Sequence, residues 1–146
     1  MAEAALNHSA VAAGRFRGFS AGSHPKGHVH PLTLAVLTEQ QIPIDGLRSK
    51  SWEEFSGPDA PPMHFVFTVC DHAAAETCPI WPGHPVSAHW GVPDPAAATG
   101  SEARQRRAFR EAYIVLARRV DQFASLPFDT LSAPALKERL DHIGHE

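Results

Sequence analysis

Residues Phe65–Pro95, FVFTVCDHAAAETCPIWPGHPVSAHWGVPDP, decide the fold of this chain. The stretch opens with Phe65–Val69, a run of aromatic and β-branched residues that predicts a buried strand. The run ends directly before Cys70, and a second, shorter strand is predicted at Val86–His89. Open α/β sheets bind their ligands at the carboxyl ends of their strands, so the sequence predicts a functional site that begins at Cys70.

Helices and strands alternate along the rest of the chain. This alternation predicts an α/β fold with a parallel sheet of three strands and right-handed crossovers. The first helix begins without a preceding Ser, Thr, Asp or Asn to cap it. The remaining elements are predicted as helices at Met1–Ala13, from Pro31 to Pro43, at Ser101–Ser125 and at Pro134–Ile143, a helical turn at Trp52–Phe55 and a strand at Arg15–Ser20.

The helix predicted at Ser101–Ser125 is the longest and has a clear apolar face. Ser101 is its expected N-cap. The apolar face is formed by Phe109, Ala112, Tyr113, Leu116, Val120, Phe123 and Ala124. Four arginines are expected to lie off this face: Arg104, Arg107, Arg118 and Arg119.

The composition is that of a single globular domain spanning residues 1–146. Hydrophobic residues make up 43% of the chain, and the net charge of −3 provides no basic surface of the kind that binds nucleic acid. No apolar run reaches the roughly 20 residues that a membrane span needs. The first residues, MAEAALNHSAVAAGRF, lack the basic and apolar regions of a signal peptide. We therefore expect a cytoplasmic protein without nucleic-acid or membrane partners.

The two cysteines, Cys70 and Cys78, allow three interpretations. They can form a redox-active dithiol, or serve as small apolar residues in the core. A zinc site would need them together with His72, His84 and His89, but the C-x7-C spacing is looser than structural zinc sites use. A structural disulfide is not expected in a reducing compartment. We favour the redox interpretation and expect no bound metal.

Asp94 is the best candidate for an acid, because it lies between two prolines that fix the local backbone. A carboxyl group held in this way can give a proton to a leaving oxygen. The alternative is an aspartate that only stabilises a turn. His89 and Trp90 precede it and can line the same pocket or belong to the core, so we assign them no role.

Five segments together resemble the arsenate reductases built on the low-molecular-weight protein tyrosine phosphatase fold. The most specific part is the C-x7-C stretch followed by HWGVPDP. The resemblance covers nearly the whole chain. The segments are SAGSHPKG (Ser20–Gly27), VHPLTLAVL (Val29–Leu37), GLRSKSWEEF (Gly46–Phe55), FVFTVCDHAAAETCPIWPG (Phe65–Gly83) and AHWGVPDPA (Ala88–Ala96).

The resemblance implies a three-layer α/β/α fold with a four-stranded parallel sheet in flavodoxin-like order. It also implies a mechanism in which a thiolate in a C-x5-R loop attacks arsenate. A second cysteine, matching Cys70, then attacks the adduct and releases arsenite. A third, matching Cys78, takes over the disulfide and presents it to thioredoxin or glutaredoxin. Asp94 matches the general acid, and the resemblance implies no bound cofactor beyond the external thiol reductant.

The sequence departs from the family pattern in one respect, because it contains no C-x5-R. Met1 corresponds to a position just inside the family's first helix, so we expect the first strand and the nucleophile loop to be missing. A polypeptide of these 146 residues is then expected to be marginally folded and inactive, with arsenate bound only by the full-length form. Two alternatives stay open: a phosphatase of the same fold, and a non-catalytic relative that binds thiophilic ligands or metals.

Overall fold

The computed structural model describes residues 1–70, 81 and 83–146. Within these residues the chain forms four α-helices and two strands, with two helices before the strands and two after them. Three short 3-10 helices occupy Trp52–Phe55, Pro95–Ala97 and Phe128–Thr130. The main elements are α1 (Ala2–Asn7), α2 (Pro31–Glu39), β1 (Phe65–Thr68), β2 (Val86–His89), α3 (Glu102–Ala124) and α4 (Ala133–His145).

The sheet consists of β1 and β2, which run parallel from Phe65 opposite Val86 to Thr68 opposite His89. This pairing confirms the predicted parallel α/β class and the positions of both strands. All four residues of β1 are half-buried, so the strand is less buried than its apolar sequence predicts. The expected count of three strands is wrong, because the described residues contain two.

The segment Arg15–Ser20 was predicted as the third strand, and it forms no strand in the structure. Side chains of α1 bind its backbone groups instead. The amide of Gly18 donates to Asn7 Oδ1 at 2.7 Å, and its carbonyl accepts from Asn7 Nδ2 at 3.0 Å. The amide of Ser20 donates to Glu3 Oε1 at 2.9 Å. Three backbone groups of the segment are therefore bonded to side chains of α1 and not to a neighbouring strand.

Helix α1 ends at Asn7 rather than at the predicted Ala13. The hydroxyl of Ser9 accepts from the amide of Ala12 at 3.2 Å, and this local bond competes with continued helix. Ala13 and Gly14 then adopt positive φ angles of 47° and 76°. The N-cap position of α1 is Met1, whose side chain makes no capping hydrogen bond.

Serine hydroxyls cap the two C-terminal helices. Ser101 Oγ accepts from the amide of Arg104 at 3.2 Å, as its sequence position predicts. Ser132 Oγ accepts from the amide of Ala135 at 3.3 Å in the same way. In residues 1–70, 81 and 83–146, no helix is both long and apolar enough to cross a membrane.

An aromatic cluster fills the space between α3 and the sheet. Phe123 of α3 is 2% exposed and lies at its centre. The ring centroids of its neighbours lie 4.9 to 6.1 Å away. These neighbours are Phe16, Phe65, Phe67, Trp90 and Phe128.

The position of Arg119 on α3 differs from the prediction. Arg119 was expected off the apolar face, but it is 6% exposed and lies among the buried residues of the helix. Its position follows Leu116 by three and precedes Phe123 by four, which is the spacing of one helical face. The other three arginines are not among the buried residues of α3.

Candidate functional site

Cys70 and Asp94 leave the sheet at the same edge. The parallel strands β1 and β2 have their carboxyl ends together, and Cys70 lies just beyond β1. The pairing continues past the strands, since the amide of Val92 donates to the carbonyl of Val69 at 3.0 Å. The residue before Cys70 is thus bonded to a residue only two positions before Asp94. We call this edge, with Cys70 and residues 91–94, the sheet-end site.

The carboxylate of Asp94 is held in place by its own loop. Its Oδ1 accepts from the amide of Ala96 at 2.9 Å and caps the 3-10 helix Pro95–Ala97. Asp94 is exposed, so its carboxylate is open to solvent. The structure therefore shows the turn role that was the alternative interpretation. The cap also fixes the direction of the carboxylate, which a general acid requires.

Cys70 is half-buried and follows the end of β1, where the sequence placed it. Cys78 and His72 lie outside the described residues, so the Cys70–Cys78 relay stays a prediction. His84, another residue of the zinc alternative, is exposed. In the part of the chain that the structure describes, no group of three or more His, Cys, Asp or Glu residues is placed to hold a metal ion.

His89 and Thr68 form a polar pair at the carboxyl ends of the strands. They are register partners, and Thr68 Oγ1 lies 2.7 Å from His89 Nδ1. Cys70 lies two residues after Thr68, just beyond the end of β1. His89 has no role predicted from the sequence, and the structure places it at the carboxyl end of β2, at the rim of the sheet-end site.

Trp90, by contrast, belongs to the core. It is 3% exposed and its ring stacks on Phe67 with centroids 3.8 Å apart. Its Nε1–H donates to the carbonyl of Leu140 in α4 at 2.9 Å. Of the two alternatives that the sequence left open for Trp90, the core is correct.

The residue that sequence reasoning missed is Arg119. Its guanidinium donates to the carbonyls of Trp90 at 2.8 Å and Gly91 at 3.1 Å, where the chain leaves β2. The available signal was its spacing, because position 119 shares a helical face with Leu116 and Phe123. A charged residue at a core position indicates a buried polar partner, here the chain that leads to Asp94.

The profile of the family described as low molecular weight phosphotyrosine protein phosphatase matches residues 1–136. The chain belongs to this family. The α/β architecture with its parallel strands agrees with the low-molecular-weight phosphatase fold, so both the predicted family and the predicted fold type are confirmed.

Several curated proteins that resemble the chain are named arsenate reductases. One from Halalkalibacterium halodurans is 31% identical over 106 residues, which is 73% of this chain and 73% of the relative. One from Bacillus subtilis (strain 168) is 37% identical over 106 residues with the same coverage. One from Bacillus licheniformis is 31% identical over 109 residues, again 73% of each.

Proposed function

We propose that this chain is an arsenate reductase that works through a cysteine relay. The observation that carries the proposal is its likeness to curated arsenate reductases over 73% of their length. The sheet-end site supports it, because Cys70 and Asp94 lie at one edge of the sheet. A phosphatase needs no pair of relay cysteines, so Cys70 and Cys78 favour the reductase.

In the proposed reaction, the thiols of Cys70 and Cys78 supply the two electrons that reduce arsenic. A thiolate first attacks arsenate and forms a sulfur–arsenic(V) adduct, while one arsenic–oxygen bond breaks and the protonated oxygen leaves as water. No residue among the 146 is assigned this attack, because none begins a C-x5-R. The thiolate of Cys70 attacks the sulfur of the adduct, the sulfur–arsenic bond breaks, and arsenic leaves with the electron pair as arsenite. The thiolate of Cys78 then attacks the Cys70 sulfur and forms the Cys70–Cys78 disulfide, which releases the first thiolate.

Asp94 is proposed as the general acid that protonates the oxygen leaving arsenic when the adduct forms. Its exposure gives substrate access, and the bond from Ala96 to one carboxylate oxygen leaves the second oxygen to face the substrate. Proton transfer by a positioned carboxyl group typically contributes about 10²–10⁴-fold to a rate. Loss of this group should therefore slow turnover without preventing the thiol chemistry.

The substrate is arsenate, and the electrons come from an external dithiol, thioredoxin or glutaredoxin with glutathione. The protein binds no cofactor of its own in this proposal. A disulfide that must be reduced in each cycle needs a reducing compartment, so we place the protein in the cytoplasm.

The experiment is arsenate-dependent NADPH oxidation, coupled in parallel to the thioredoxin and glutaredoxin systems. The chain of 146 residues is compared with a version that includes the coding sequence directly upstream of Met1. In the active version, Cys70→Ser should release no arsenite. Cys78→Ser should release about one equivalent and then stop, because the relay halts at a mixed disulfide. Turnover that survives Cys70→Ser would contradict the relay.

The acid role of Asp94 is tested with a matched pair of variants. Asp94→Asn should lower the rate by about 10²–10⁴-fold if it is the general acid. Asp59, another exposed aspartate beside a proline, serves as the control, and Asp59→Asn should leave the rate unchanged. Hydrolysis of p-nitrophenyl phosphate without any arsenate reduction would favour the phosphatase alternative instead.

A further inference from the structure

Arg119 joins two parts of the chain through main-chain oxygens. Its Nη1 donates to the carbonyls of Trp90 at 2.8 Å and Gly91 at 3.1 Å. Its Nη2 donates to the main-chain oxygens of Gly144 at 3.2 Å and Glu146 at 3.4 Å. One guanidinium therefore connects α3 to the end of β2 and to the end of α4.

This guanidinium is an expensive group to bury. It is 6% exposed, and within the described residues its Nε has no hydrogen-bond partner. Burial, together with the neighbouring charge of Arg118, lowers its pKa from the ordinary arginine value. An apolar side chain of similar volume would avoid this cost, so hydrophobic packing alone does not explain the residue.

The first pair of acceptors lies on the path from β2 to Asp94. Trp90 and Gly91 precede Asp94 by four and three positions. On the other side of the same segment, the amide of Val92 donates to the carbonyl of Val69 in the chain that leaves β1. The segment is thus held from two directions, by the continuation of β1 and by the guanidinium of Arg119.

The second pair of acceptors belongs to the last turn of α4, which packs on the same segment. A Cβ atom at Gly144 would lie 2.4 Å from the carbonyl oxygen of His89 and 2.8 Å from Trp90 Cδ1. The absence of a side chain allows this close approach. Arg119 lies where α4 and the exit from β2 meet, and its five donors in a rigid plane suit several carbonyls at once.

We propose that Arg119 is the positioning residue of the segment 91–94, fixing the direction in which the Asp94 carboxylate faces the oxyanion substrate. It acts through the carbonyls of Trp90 and Gly91 and touches neither the substrate nor the reacting atoms. The docking of α4 contributes to the same geometry through the second pair of carbonyls. This inference rests on the proposed function, in which Asp94 is the general acid.

The test compares Arg119→Met and Arg119→Lys with the exposed neighbour variant Arg118→Met by NMR. The Ala96 amide donates to Asp94 Oδ1, so the chemical shift of its proton at a fixed pH reports the geometry of the cap. In Arg119→Met we expect this signal to move upfield, because the hydrogen bond of the cap lengthens. Arg119→Lys keeps a cation and should move the signal part of the way back. Arg118→Met should match the wild type.

A structural role without positioning would give a different result. If Arg119→Met lowers the melting temperature while the Ala96 amide signal stays as in the wild type, the inference is overturned. Arg119→Lys provides the same readout if the methionine variant does not fold. These measurements need no arsenate, so failure of arsenate reduction would overturn the proposed function and leave the test of Arg119 unaffected.

Discussion

At the scale of single residues, Trp90 contributes two kinds of contact. Its ring stacks on Phe67, and its indole N–H donates to the carbonyl of Leu140. The first contact joins the end of β2 to β1, and the second joins it to α4. A single side chain therefore links the core to the last helix.

Trp90→Phe should retain most of the stacking and lose the hydrogen bond. We expect the free energy of unfolding to fall by about 0.5–1.5 kcal/mol from the lost bond, and somewhat more from the smaller ring. Urea denaturation followed by circular dichroism measures this change. Trp52→Phe is the control, because Trp52 is half-buried and packs at the edge of Trp81 with centroids 6.3 Å apart. An equal loss in both variants would show that the indole N–H of Trp90 contributes little.

A second prediction at this scale concerns pH. The hydrogen bonds from the Arg48 guanidinium, at 2.8 and 2.9 Å, lower the pKa of the Glu54 carboxyl below 4.5. The unfolded chain then binds a proton at higher pH than the folded chain does. The pair therefore stabilises the fold above pH 4.5, and this contribution is lost as the pH falls through the folded-state pKa.

The measurement is a carbon-13 titration of the Glu54 carboxyl. Arg48→Gln should raise its pKa toward the ordinary glutamate value, whereas Lys26→Gln, which removes an exposed cation elsewhere, should leave the titration unchanged. A Glu54 pKa that does not respond to Arg48→Gln would show that the ion pair is not formed in solution.

The sequence identified Cys70 because it follows an apolar strand, and Asp94 because it lies between two prolines. Both features are local. It misplaced Arg119 because an arginine on a helix is usually solvated, and its acceptors are distant in the chain. The carbonyls that justify its burial belong to residues 90, 91, 144 and 146, separated from it by 25 to 29 positions. No local pattern could have indicated them.

At the scale of elements, α4 depends on a close approach to β2. The helix packs Leu140 and Ile143 into the core and brings Gly144 against the carbonyl of His89. The predicted range Pro134–Ile143 lies within the observed helix, so the sequence located the element. Its docking partner was not predictable, because glycine in a helix carries no apolar pattern.

Gly144→Ala tests this docking. Alanine favours helix by about 1 kcal/mol over glycine, but its Cβ would overlap the carbonyl of His89. We expect a net destabilisation of about 1–3 kcal/mol, the usual cost of overpacking. Glu138→Ala, at an exposed position of the same helix, should change the stability by less than about 0.5 kcal/mol. A Gly144→Ala variant as stable as the wild type would mean that α4 does not dock as described.

The failure to predict the segment Arg15–Ser20 has a related cause at the same scale. Its alternation of polar and aromatic residues is typical of a strand, but the side chains of Asn7 and Glu3 bind its amides. These bonds come from a helix that precedes the segment. Local alternation reports which side chains point inward, and it does not report which groups pair with the backbone.

At the scale of the whole molecule, one aromatic cluster holds the sheet to α3. Phe123 contacts five other rings, which come from β1 (Phe65 and Phe67), the exit from β2 (Trp90), the turn after α3 (Phe128) and the N-terminal part of the chain (Phe16). The sequence predicted Phe123 on the buried face of α3 and Phe65 and Phe67 in β1. It predicted the parallel class and the family as well, because the strand positions and the motifs are local features.

Phe123→Ala should therefore affect the whole molecule. Removal of a buried phenylalanine costs about 3–5 kcal/mol, a large part of the roughly 5–15 kcal/mol that stabilises a typical domain. Chemical denaturation measures the loss. Ile114→Ala on the same helix is the control, because Ile114 is 54% exposed and should cost little. Equal effects of the two substitutions would contradict the central position of the cluster.

The environment of Trp90 also has an optical consequence. Its indole is kept from water by Phe67 and donates to a carbonyl of α4. In a background of Trp52→Phe and Trp81→Phe, its fluorescence would come from this one site. Emission at short wavelength would report a docked helix, and a red shift would report its departure. The chain thus contains its own label for the segment that leads to Asp94, and no dye needs to be attached.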